Sequence, residues 1–538
     1  MNENQAIVEN SQPKVALEEE KVTPRNFTAF VVGAFGRDFS YNFFTTYLLT
    51  FILFSKTLTD LQFSCVSIII IGARIFDAFN DPIMGGIIEN TNTRWGKFRP
   101  WITIGAVATS VVVILIFSVP VDGWGFIGFL AIMYLIYSIT FTMNDIAYWG
   151  LLPALGRRDH DRNRLMSIES VIGGAGSGLV GLVVPALTTT YSKYLGGSAT
   201  SAYMWTAVFA GVVMIAFQLF TSLMLKEKAP MVNVPKKQAP KLSIKDIFRI
   251  IKSNDQLLWA TVILSLYSIG TGVLSGGLST IYIYFEFGYN GLLTTIFYVL
   301  GGVMNILFTI TFPYILQKVK RENIMYFGGI VAICAYLIMM FIGVFVPTGL
   351  PIAEIMGLPI YVKFILLCIS HMFVGIGTCC FYTLAFLNIA NTVEYNEWKT
   401  GEREESLIFS LRPFSAKLSS ALTQLLVTLV YLAIGVTHVT NGISSLDQAV
   451  TKGEITNAEM LSGVETLLSG VPIAQKNALI VCMCLIPIVF LVVALILLKK
   501  KFILTTDYFN KIKQDILDRK SANLDDALAT ENLDSDVE

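Results

Sequence analysis

Four aspartates lie inside long apolar segments of this chain: Asp38, Asp77, Asp81 and Asp145. An ionised side chain at the centre of a membrane helix costs about 3 kcal/mol on insertion scales, so such a residue is a functional candidate. At 1.5 Å per residue, all four fall about 14 to 20 Å from the membrane boundary expected to face the cytoplasm. Each acid alone could instead form a structural salt bridge between helices. Four carboxylates at one depth favour a shared site.

Two of these acids have the spacing of a cation site. Asp77 and Asp81 are four residues apart and share a helix face, with Asn80 beside them and Arg74 one turn earlier. Two carboxylates and an amide oxygen can coordinate a hard cation such as Na⁺, and the same carboxylates can bind a proton. The spacing therefore predicts a cation-binding site without identifying the ion.

A third acid lies on a stripe with the spacing of a sugar site. Thr142, Asp145 and Trp149 recur at i, i+3 and i+7 and share a helix face. An aromatic ring can stack on the apolar face of a sugar while a carboxylate accepts hydrogen bonds from its hydroxyls.

Lys417 also lies about midway along an apolar segment, where it needs an acidic partner. The lone His371 is interpreted as a neutral, hydrogen-bonded residue.

The segments that carry these residues are membrane spans. The chain has 538 residues, of which 54% are hydrophobic and 14% charged, and its mean hydropathy is +0.63. A soluble core cannot bury that much apolar surface, and a net charge of zero gives no sign of a nucleic-acid partner. The predicted fold is an all-α membrane protein with twelve spans, at about 27–55, 62–90, 100–119, 125–150, 165–190, 201–226, 256–286, 290–317, 323–346, 359–392, 405–438 and 474–499.

The basic residues orient these spans. One set of connections carries Arg94, Lys97, Arg99, Arg157, Arg158, Arg162, Arg164, Lys318, Lys320 and Arg321, whereas the opposite set has only scattered lysines such as Lys56, Lys193, Lys452 and Lys476. Basic connections stay in the cytoplasm, so we expect both termini there, in the inner membrane of a cell. Residues 1–26 are polar and acidic and do not resemble a cleaved signal.

The longest cytoplasmic connection divides the chain. We expect a six-helix bundle over 27–226, a central loop over 227–255, a second six-helix bundle over 256–499 and a tail over 500–538. Apolar residues at helical spacing in the loop (Leu242 to Ile251) and in the tail (Tyr508 to Ile516) predict helices lying on the membrane surface or on the protein's own helix ends. The acidic stretch from Asn523 to Glu538 is expected to be disordered.

Four sequence blocks resemble the glycoside–pentoside–hexuronide:cation symporters of the major facilitator superfamily. They are GAFGRDFSYN (33–42), ARIFDAFNDPIMGGIIENTNTRWGKFRPW (73–101), TMNDIAYWGLLP (142–153) and NTVEYNEWKTGEREES through SLRPFSAKLSS (391–420). The resemblance implies a major facilitator fold of two six-helix bundles that imports a sugar with a cation by alternating access. No cofactor is implied beyond the coupling cation, which is Na⁺ or H⁺, or else Li⁺. We expect the chain to act as a monomer.

The resemblance also assigns residues. Asp77, Asp81, Asn80 and Thr142 match the cation site; Asp38, Asp145, Arg37 and Trp149 match the sugar site; Lys417 matches a lysine that joins the two. The loop after the second span matches a conformational hinge motif, expected to contact cytoplasmic helix ends and not substrate, with a glutamate in place of the usual aspartate: Gly85, Glu89, Arg94, Gly96, Lys97 and Arg99.

The chain departs from the family pattern in the fifth span. Where melibiose-type members carry an arginine that reaches the sugar, alignment of RNRLMSIESVIGG places Ser170, preceded by Glu169. Arg412 in span eleven is a further cation, which either meets an anionic sugar such as a hexuronide or reaches the cytoplasmic interface. The sugar site is therefore expected to differ in detail from the melibiose type.

Other functions compete with sugar import. Relatives with the same cation motif carry an amphiphilic lipid, and a transporter-like receptor would bind without transport. An enzyme is not expected, because the sequence shows no nucleophile–base pair and no metal-ligand cluster. The seven cysteines lack the spacing of a metal site and are interpreted as membrane-buried thiols.

Overall fold

The computed structural model describes residues 22–155, 159–227, 254–355, 358–401 and 405–535, which are almost entirely helical. A 3₁₀ turn (Ser192–Tyr194), a π-helical turn (Leu274–Leu278) and an antiparallel hairpin of β1 (Ala353–Ile355) and β2 (Leu358–Ile360) interrupt the helices. The helices are α1 (Pro24–Ser55), α2 (Asp60–Glu89), α3 (Arg99–Ser118), α4 (Gly123–Leu155), α5 (Asp159–Thr188), α6 (Ala199–Met224), α7 (Asp255–Val273), α8 (Ser279–Phe287), α9 (Gly291–Leu316), α10 (Arg321–Phe345), α11 (Val362–Thr400), α12 (Glu405–Ile434), α13 (Val436–Thr451), α14 (Asn457–Ser469), α15 (Ile473–Lys501) and α16 (Thr506–Ser535).

Every predicted span coincides with a helix, and the seventh is formed by α7, the π-helical turn and α8 together. Within the described residues, ten helices are long and apolar enough to cross a membrane, or eleven if the bent α2 is counted as one span. The expectation of an all-α, multi-pass membrane protein is confirmed. The boundaries move by several residues, most of all in α11, which continues to Thr400 before Gly401 ends it in a left-handed conformation.

Local sequence signals set the helix starts. Thr23 accepts a hydrogen bond from the backbone of Asn26, and Pro24 occupies the first turn of α1, where its missing N–H costs nothing. Thr59 and Gln62 form a reciprocal capping box at the start of α2. Short polar residues thus begin these apolar helices at defined positions.

Helix α2 bends by 41° between Asp77 and Phe79. Pro82 lies inside this helix, and a proline cannot donate the hydrogen bond that would reach the carbonyl of the residue four positions earlier. The bend lies at that position. It places the two predicted cation acids on either side of a deformation in α2.

The structure divides into two compact units. Unit 1 comprises Met1–Lys237, Thr280–Tyr298 and Thr428–Lys476, and unit 2 comprises Gln238–Ser279, Val299–Val427 and Asn477–Glu538. In unit 1, α1 packs against α5 and α6, and α4 packs against α2 and α3. Two segments of the second half of the chain therefore belong to unit 1. The expected bundles over 27–226 and 256–499 stay a prediction.

Unit 1 includes two helices that the search for spans missed, α13 and α14. They are too polar to span a membrane, but Val436, Thr440, Ile443 and Asp447 of α13 form one buried face. The Asp447 carboxylate accepts hydrogen bonds from the backbone N–H groups of Ala199 and Thr200 at the start of α6, at 2.5 and 3.0 Å. Burial raises the pKa of Asp447, and these donors oppose the shift. A buried carboxylate therefore binds α13 to the start of α6.

Two further contacts hold α13. Asn441 pairs with the backbone of Leu58, accepting from its N–H at 3.0 Å and donating to its carbonyl at 2.8 Å. The hydroxyl of Thr437 donates to Asp60 at 2.6 Å. These bonds join residues more than 370 positions apart in sequence, so α13 contributes to the tertiary structure of unit 1.

We expect Asp447→Ala to destabilise the protein by about 1–3 kcal/mol, since it leaves the buried N–H of Ala199 and the part-buried N–H of Thr200 without their acceptor. Thermal unfolding of the purified protein in detergent measures this as a lower Tm. Glu465→Ala is the control, because Glu465 is exposed on the neighbouring α14. Equal unfolding temperatures for the two variants would contradict the fastening role of Asp447.

Unit 2 packs α10 against α11, where Gly328 and Gly377 leave no room for a side chain. Helix α16 packs on the end of α11 through Tyr395, Leu504, Ile512 and Ile516. Of the two interpretations of the tail stretch, packing on the protein's own helix ends is the one observed.

The expectation of disorder was wrong for residues 523–535, since α16 continues to Ser535, and residues 536–538 lie outside the described part of the chain. The acidic composition suggested disorder, but residues 523–535 contain neither Pro nor Gly, and Leu, Ala and Glu favour a helix. The stretch from Leu242 to Ile251, together with Arg157 and Arg158, lies outside the described residues.

Candidate functional site

The centre of the site is Arg37, a buried residue in the middle of α1. Its Nε donates to Asp38 Oδ1 at 2.7 Å and its Nη2 donates to Glu169 Oε1 at 2.8 Å. Its Nη1 lies 3.7 Å from Asp145 Oδ1 and makes no hydrogen bond within the described part of the chain. One guanidinium thus holds acids from α1, α4 and α5.

Two aromatic rings of α4 cover this guanidinium. The Arg37 Cζ lies 4.3 Å from the ring centroid of Tyr148 and 4.9 Å from that of Trp149, within cation–π range. Tyr148 is fully buried and donates a hydrogen bond to the carbonyl of Phe30, so its ring is fixed. Trp149 is 37% exposed, so its ring is only partly covered by protein.

The three acids differ in exposure. The side chains of Asp38 and Asp145 are 25% and 34% exposed, whereas that of Glu169 is 5% exposed. Asp38 and Asp145 can therefore accept hydrogen bonds from a ligand. The buried Glu169 instead accepts a hydrogen bond from Arg37 and holds its guanidinium in place. A set of exposed carboxylates beside an aromatic face suits a ligand rich in hydroxyl groups.

Glu169 is the residue that the sequence analysis missed. Alignment assigned Ser170 to the family's arginine position, but Ser170 is exposed and its neighbour Glu169 faces the site. A shift of one residue on a helix turns the side chain by about 100°. The signal was present, because Glu169 is an acid inside the fifth predicted span, as Asp38, Asp77, Asp81 and Asp145 are in theirs.

A glycine one turn after Glu169 makes room for the site. A Cβ on Gly173 would collide with Asp38 Oδ2, and one on Gly176 would lie 2.5 Å from the carbonyl oxygen of Phe35. The face of α5 with Glu169, Gly173 and Gly176 is therefore the face on which α1 packs. The position of the Asp38 carboxylate depends on this close approach.

The predicted cation residues form a second set, on α2 and α4 of the same unit, and the structure shows one direct contact among them. The hydroxyl of Thr142 donates to Asp81 Oδ1 at 3.2 Å, which joins α4 to α2. Asp77 and Asn80 are buried on α2, and Arg74 Nη1 lies 3.9 Å from Asp77 Oδ2. The candidate ligand groups are two carboxylates, an amide and a hydroxyl. Their oxygens suit a monovalent cation as cargo, and the carboxylates suit a proton. Within the described residues, no group of three or more His, Cys, Asp or Glu side chains suits a bound metal ion.

Helix α4 connects the two groups. Thr142 contacts Asp81, and Asp145, only three residues later, faces Arg37. Three residues of an α-helix span about 4.5 Å. A displacement of α4 that moves Thr142 therefore also moves Asp145.

The predicted hinge residues lie in the last turns of α2, in the connection that follows it and at the start of α3. The carboxylate of Glu227, which follows α6, accepts hydrogen bonds from the backbone N–H groups of Lys97, Phe98 and Arg99 at 2.5, 3.0 and 2.8 Å. Gly96 has φ +113°, and its missing Cβ leaves the space that this carboxylate occupies. Arg99 also donates to the carbonyl of Ser222. Gly85 is half-buried, and Glu89 and Arg94 are exposed. Their role as a conformational hinge stays a prediction.

Three candidates belong to unit 2. Lys417 is half-buried on α12, and its proposed role in joining the sites stays a prediction. The side chain of Arg412 lies outside the described residues. His371 is buried on α11 beside Gly301, where a Cβ would collide with its imidazole ring. This packing agrees with a structural role for the histidine.

Comparison with known proteins identifies the family of this chain. A family profile described as MFS/sugar transport protein matches residues 29–502. The chain belongs to this family of sugar transport proteins. This membership confirms the resemblance and the major facilitator fold inferred from the four sequence blocks.

Individual members of the family are distant. The chain is 27% identical over 439 residues to a lactose permease of Lactobacillus helveticus, with 77% of this chain and 63% of that protein covered. It is 27% identical over 418 residues to a raffinose carrier protein of Pediococcus pentosaceus, with 75% and 62% covered. The chain thus spans less than two thirds of the length of these relatives.

A solved structure shows the same fold. A bacterial homologue of the human lysosomal transporter Spinster, in an inward-facing and unoccupied conformation, superposes with a TM-score of 0.57 at 12% identity. The match covers 92% of this chain and 98% of the other. At this identity the match concerns the fold of the MFS sugar transport family and not its ligands.

Proposed function

We propose that this chain is a cation-coupled symporter that imports a sugar by alternating access. The observation that carries the proposal is that α4 presents Thr142 to Asp81 and, one turn later, Asp145 to Arg37. Binding of a cation at Asp77 and Asp81 would change the position of α4 and with it the affinity for sugar. Such coupling is reciprocal and typically about 1–3 kcal/mol.

The ligand chemistry supports a sugar. The exposed carboxylates of Asp38 and Asp145 accept hydrogen bonds from hydroxyls, Arg37 Nη1 can donate one, and the exposed ring of Trp149 can pack on C–H groups. The relatives named above are a lactose permease and a raffinose carrier protein. The expectation that the chain is not an enzyme agrees with its membership of a transport family.

Uptake by purified protein in liposomes tests the function. A panel of labelled glycosides is offered with an inward gradient of Na⁺, of Li⁺ or of protons. We expect one glycoside to accumulate above its external concentration with one of these gradients, because the cation supplies the driving force. Unlabelled sugars should compete. Uptake of an amphiphilic lipid that free sugars do not inhibit, or binding with no flux, would contradict the proposal.

The close approach of α5 to α1 yields a prediction about affinity. We expect Gly173→Ala to weaken sugar binding about tenfold, because the added Cβ displaces the Asp38 carboxylate. Gly174→Ala is a matched control, since nothing lies within 4 Å of a Cβ at that position. Both changes favour the helix by about 1 kcal/mol, so Gly174→Ala should not lower the unfolding temperature, whereas in Gly173→Ala the displacement of Asp38 offsets this gain. Equilibrium binding of the labelled glycoside measures the difference, and equal affinities would argue against a role for Asp38.

We also propose an inner-membrane location with both termini in the cytoplasm and a functional monomer. The basic connections described above support this orientation. A membrane-impermeant thiol reagent should label a cysteine added at either terminus only in inside-out vesicles. A cysteine replacing Lys452, in the connection after α13, should be labelled in intact cells. The reverse pattern at either site would overturn the orientation.

A further inference from the structure

A buried amide of α4 lies between the two residues that join the cation set to the sugar site. Asn144 follows Thr142 by two positions and precedes Asp145 by one, and it is fully buried. Successive residues of an α-helix are about 100° apart around its axis. The Asn144 side chain therefore leaves α4 about 160° away from that of Thr142 and about 100° away from that of Asp145. It lies outside both sets of predicted site residues.

Two hydrogen bonds and one close approach fix Asn144. Its Nδ2 donates to the carbonyl of Ile102 on α3 at 2.8 Å and to Oε1 of Gln218 on α6 at 3.2 Å. Gln218 is also fully buried, and its Nε2 donates to the carbonyl of Gly33 on α1 at 2.8 Å. A Cβ on Gly105 of α3 would lie 2.6 Å from the backbone nitrogen of Asn144. At this one position α4 is thus bound to α3 and α6, and through Gln218 to α1.

Stability alone does not favour these two amides. Asn144 Oδ1 is buried and accepts no hydrogen bond from the residues that the structure describes. A buried polar atom without a partner costs about 1–3 kcal/mol, whereas replacement of both hydrogen-bonding groups by apolar ones can be nearly neutral. Positioning of α4 explains the Asn144–Gln218 pair better than stability does.

We propose, on the basis of the proposed function, that the Asn144–Gln218 pair is the pivot about which α4 couples cation binding to sugar binding. The pair fixes α4 at one point, whereas Thr142 and Asp145 lie on another face of the helix. When a cation binds beside Asp81 and displaces Thr142, α4 rotates about this point and Asp145 moves. Without the fixed point, part of the displacement is lost as sliding of α4 along α3.

Asn144 and Gln218 act here as positioning residues. Both side chains are fully buried, so they do not reach a ligand. Their replacement leaves the ligand groups of both sites in the chain. Sugar affinity in the absence of the cation should therefore change little, whereas the gain in affinity that the cation produces should fall.

The test measures binding of a glycoside with and without the cation. The labelled glycoside and the coupling cation are those that the liposome uptake panel identifies, and binding to purified protein is measured at constant ionic strength. With coupling of typical size, wild type binds the glycoside about 5- to 150-fold more tightly when the cation is present. Gln218→Met keeps the length of the side chain but lacks the amide. It should bring this ratio of affinities to within about twofold of one.

Thr221→Val is the matched control. Thr221 lies one turn after Gln218 on α6 and is fully buried. Its hydroxyl donates to the carbonyl of Ala29 on α1 at 2.8 Å and makes no hydrogen bond to α4 among the described residues. Both variants lose a buried hydrogen bond between α6 and α1, so both should unfold at a lower temperature. Only Gln218→Met should lose the cation effect. If that variant does not fold, Asn144→Ala removes the same contact between α4 and α6 and should lower the ratio likewise.

Failure of the pivot and failure of the proposed function give different results. If wild type binds no glycoside, or binds it equally well with and without every cation of the panel, the proposed function fails and the pivot with it. If wild type shows the cation effect and folded Gln218→Met retains it in full, only the pivot is excluded. Loss of the effect in Thr221→Val as well would also exclude the pivot, because any weakening of the contact between α1 and α6 would then be sufficient.

Discussion

Replacing Asp77 by cysteine is expected to abolish accumulation of substrate against its gradient while sparing movement down a gradient. Asp77 is buried on α2 at the start of the bend, with Arg74 as a neighbour. Without its carboxylate, the proposed cation site loses one of two charged ligands. The proposed sugar-binding residues Asp38 and Asp145 remain unchanged, so exchange without net coupling should continue.

Cation-driven uptake and sugar exchange, measured separately, distinguish loss of coupling from loss of sugar binding. In liposomes, Asp77→Cys should lose all stimulation by the coupling cation, whereas exchange of labelled for unlabelled sugar should persist at reduced affinity. Ile75→Cys is the control, because Ile75 lies two residues earlier on α2 and is exposed. Uphill accumulation by folded Asp77→Cys with unchanged cation dependence would place the cation site elsewhere.

Arg37→Leu is expected to remove sugar binding and to destabilise the protein by about 3–5 kcal/mol. Removal of one partner from a buried ion pair leaves the other charge uncompensated, and that penalty is of this size. Here three carboxylates would remain, and that of Glu169 is almost fully buried. Arg37→Lys should retain most of the stability, because it keeps a positive charge. It should still lose affinity at least about tenfold, because an ammonium cannot reproduce the planar fork of donors.

Thermal unfolding and equilibrium sugar binding report these two properties separately. The exposed Arg164 on α5 offers a control in Arg164→Leu, which should change neither of them much. The double variant Arg37→Leu, Glu169→Gln should recover part of the lost stability, since it removes the most deeply buried charge. Wild-type unfolding temperature and affinity in Arg37→Leu would exclude Arg37 as the centre of the cluster.

Much of the candidate site was predictable because charges inside apolar segments are rare and conspicuous. Asp145 and Thr142 emerged from their spacing on one helix face, and the structure places them against Arg37 and Asp81. Glu169 was missed because the alignment directed attention to Ser170. Which of two adjacent residues on α5 faces α1 depends on the rotation of α5 about its own axis. The packing of Gly173 and Gly176 against α1 sets this rotation, and the residues aligned around Ser170 do not reveal it.

The twelve spans were predictable because their length is dictated by the bilayer. Helices α13 and α14 were not, since a search for apolar runs passes over amphipathic helices that pack on protein. The capping box of Thr456 and Glu459 and the buried face from Val436 to Asp447 are visible in the sequence in retrospect. The partners of α13, Leu58 and Thr200, are hundreds of residues away in sequence. No local pattern indicates them.

The three-residue separation of Thr142 and Asp145 on α4 has a consequence for how such proteins diversify. A substitution that adapts Asp145 or its neighbours to a new sugar also perturbs the helical turn that carries Thr142. Under the proposed function, sugar preference and ion preference are then not independent traits. In a set of variants selected only for growth on a different sugar, we expect altered dependence on Na⁺ or pH to arise repeatedly without having been selected.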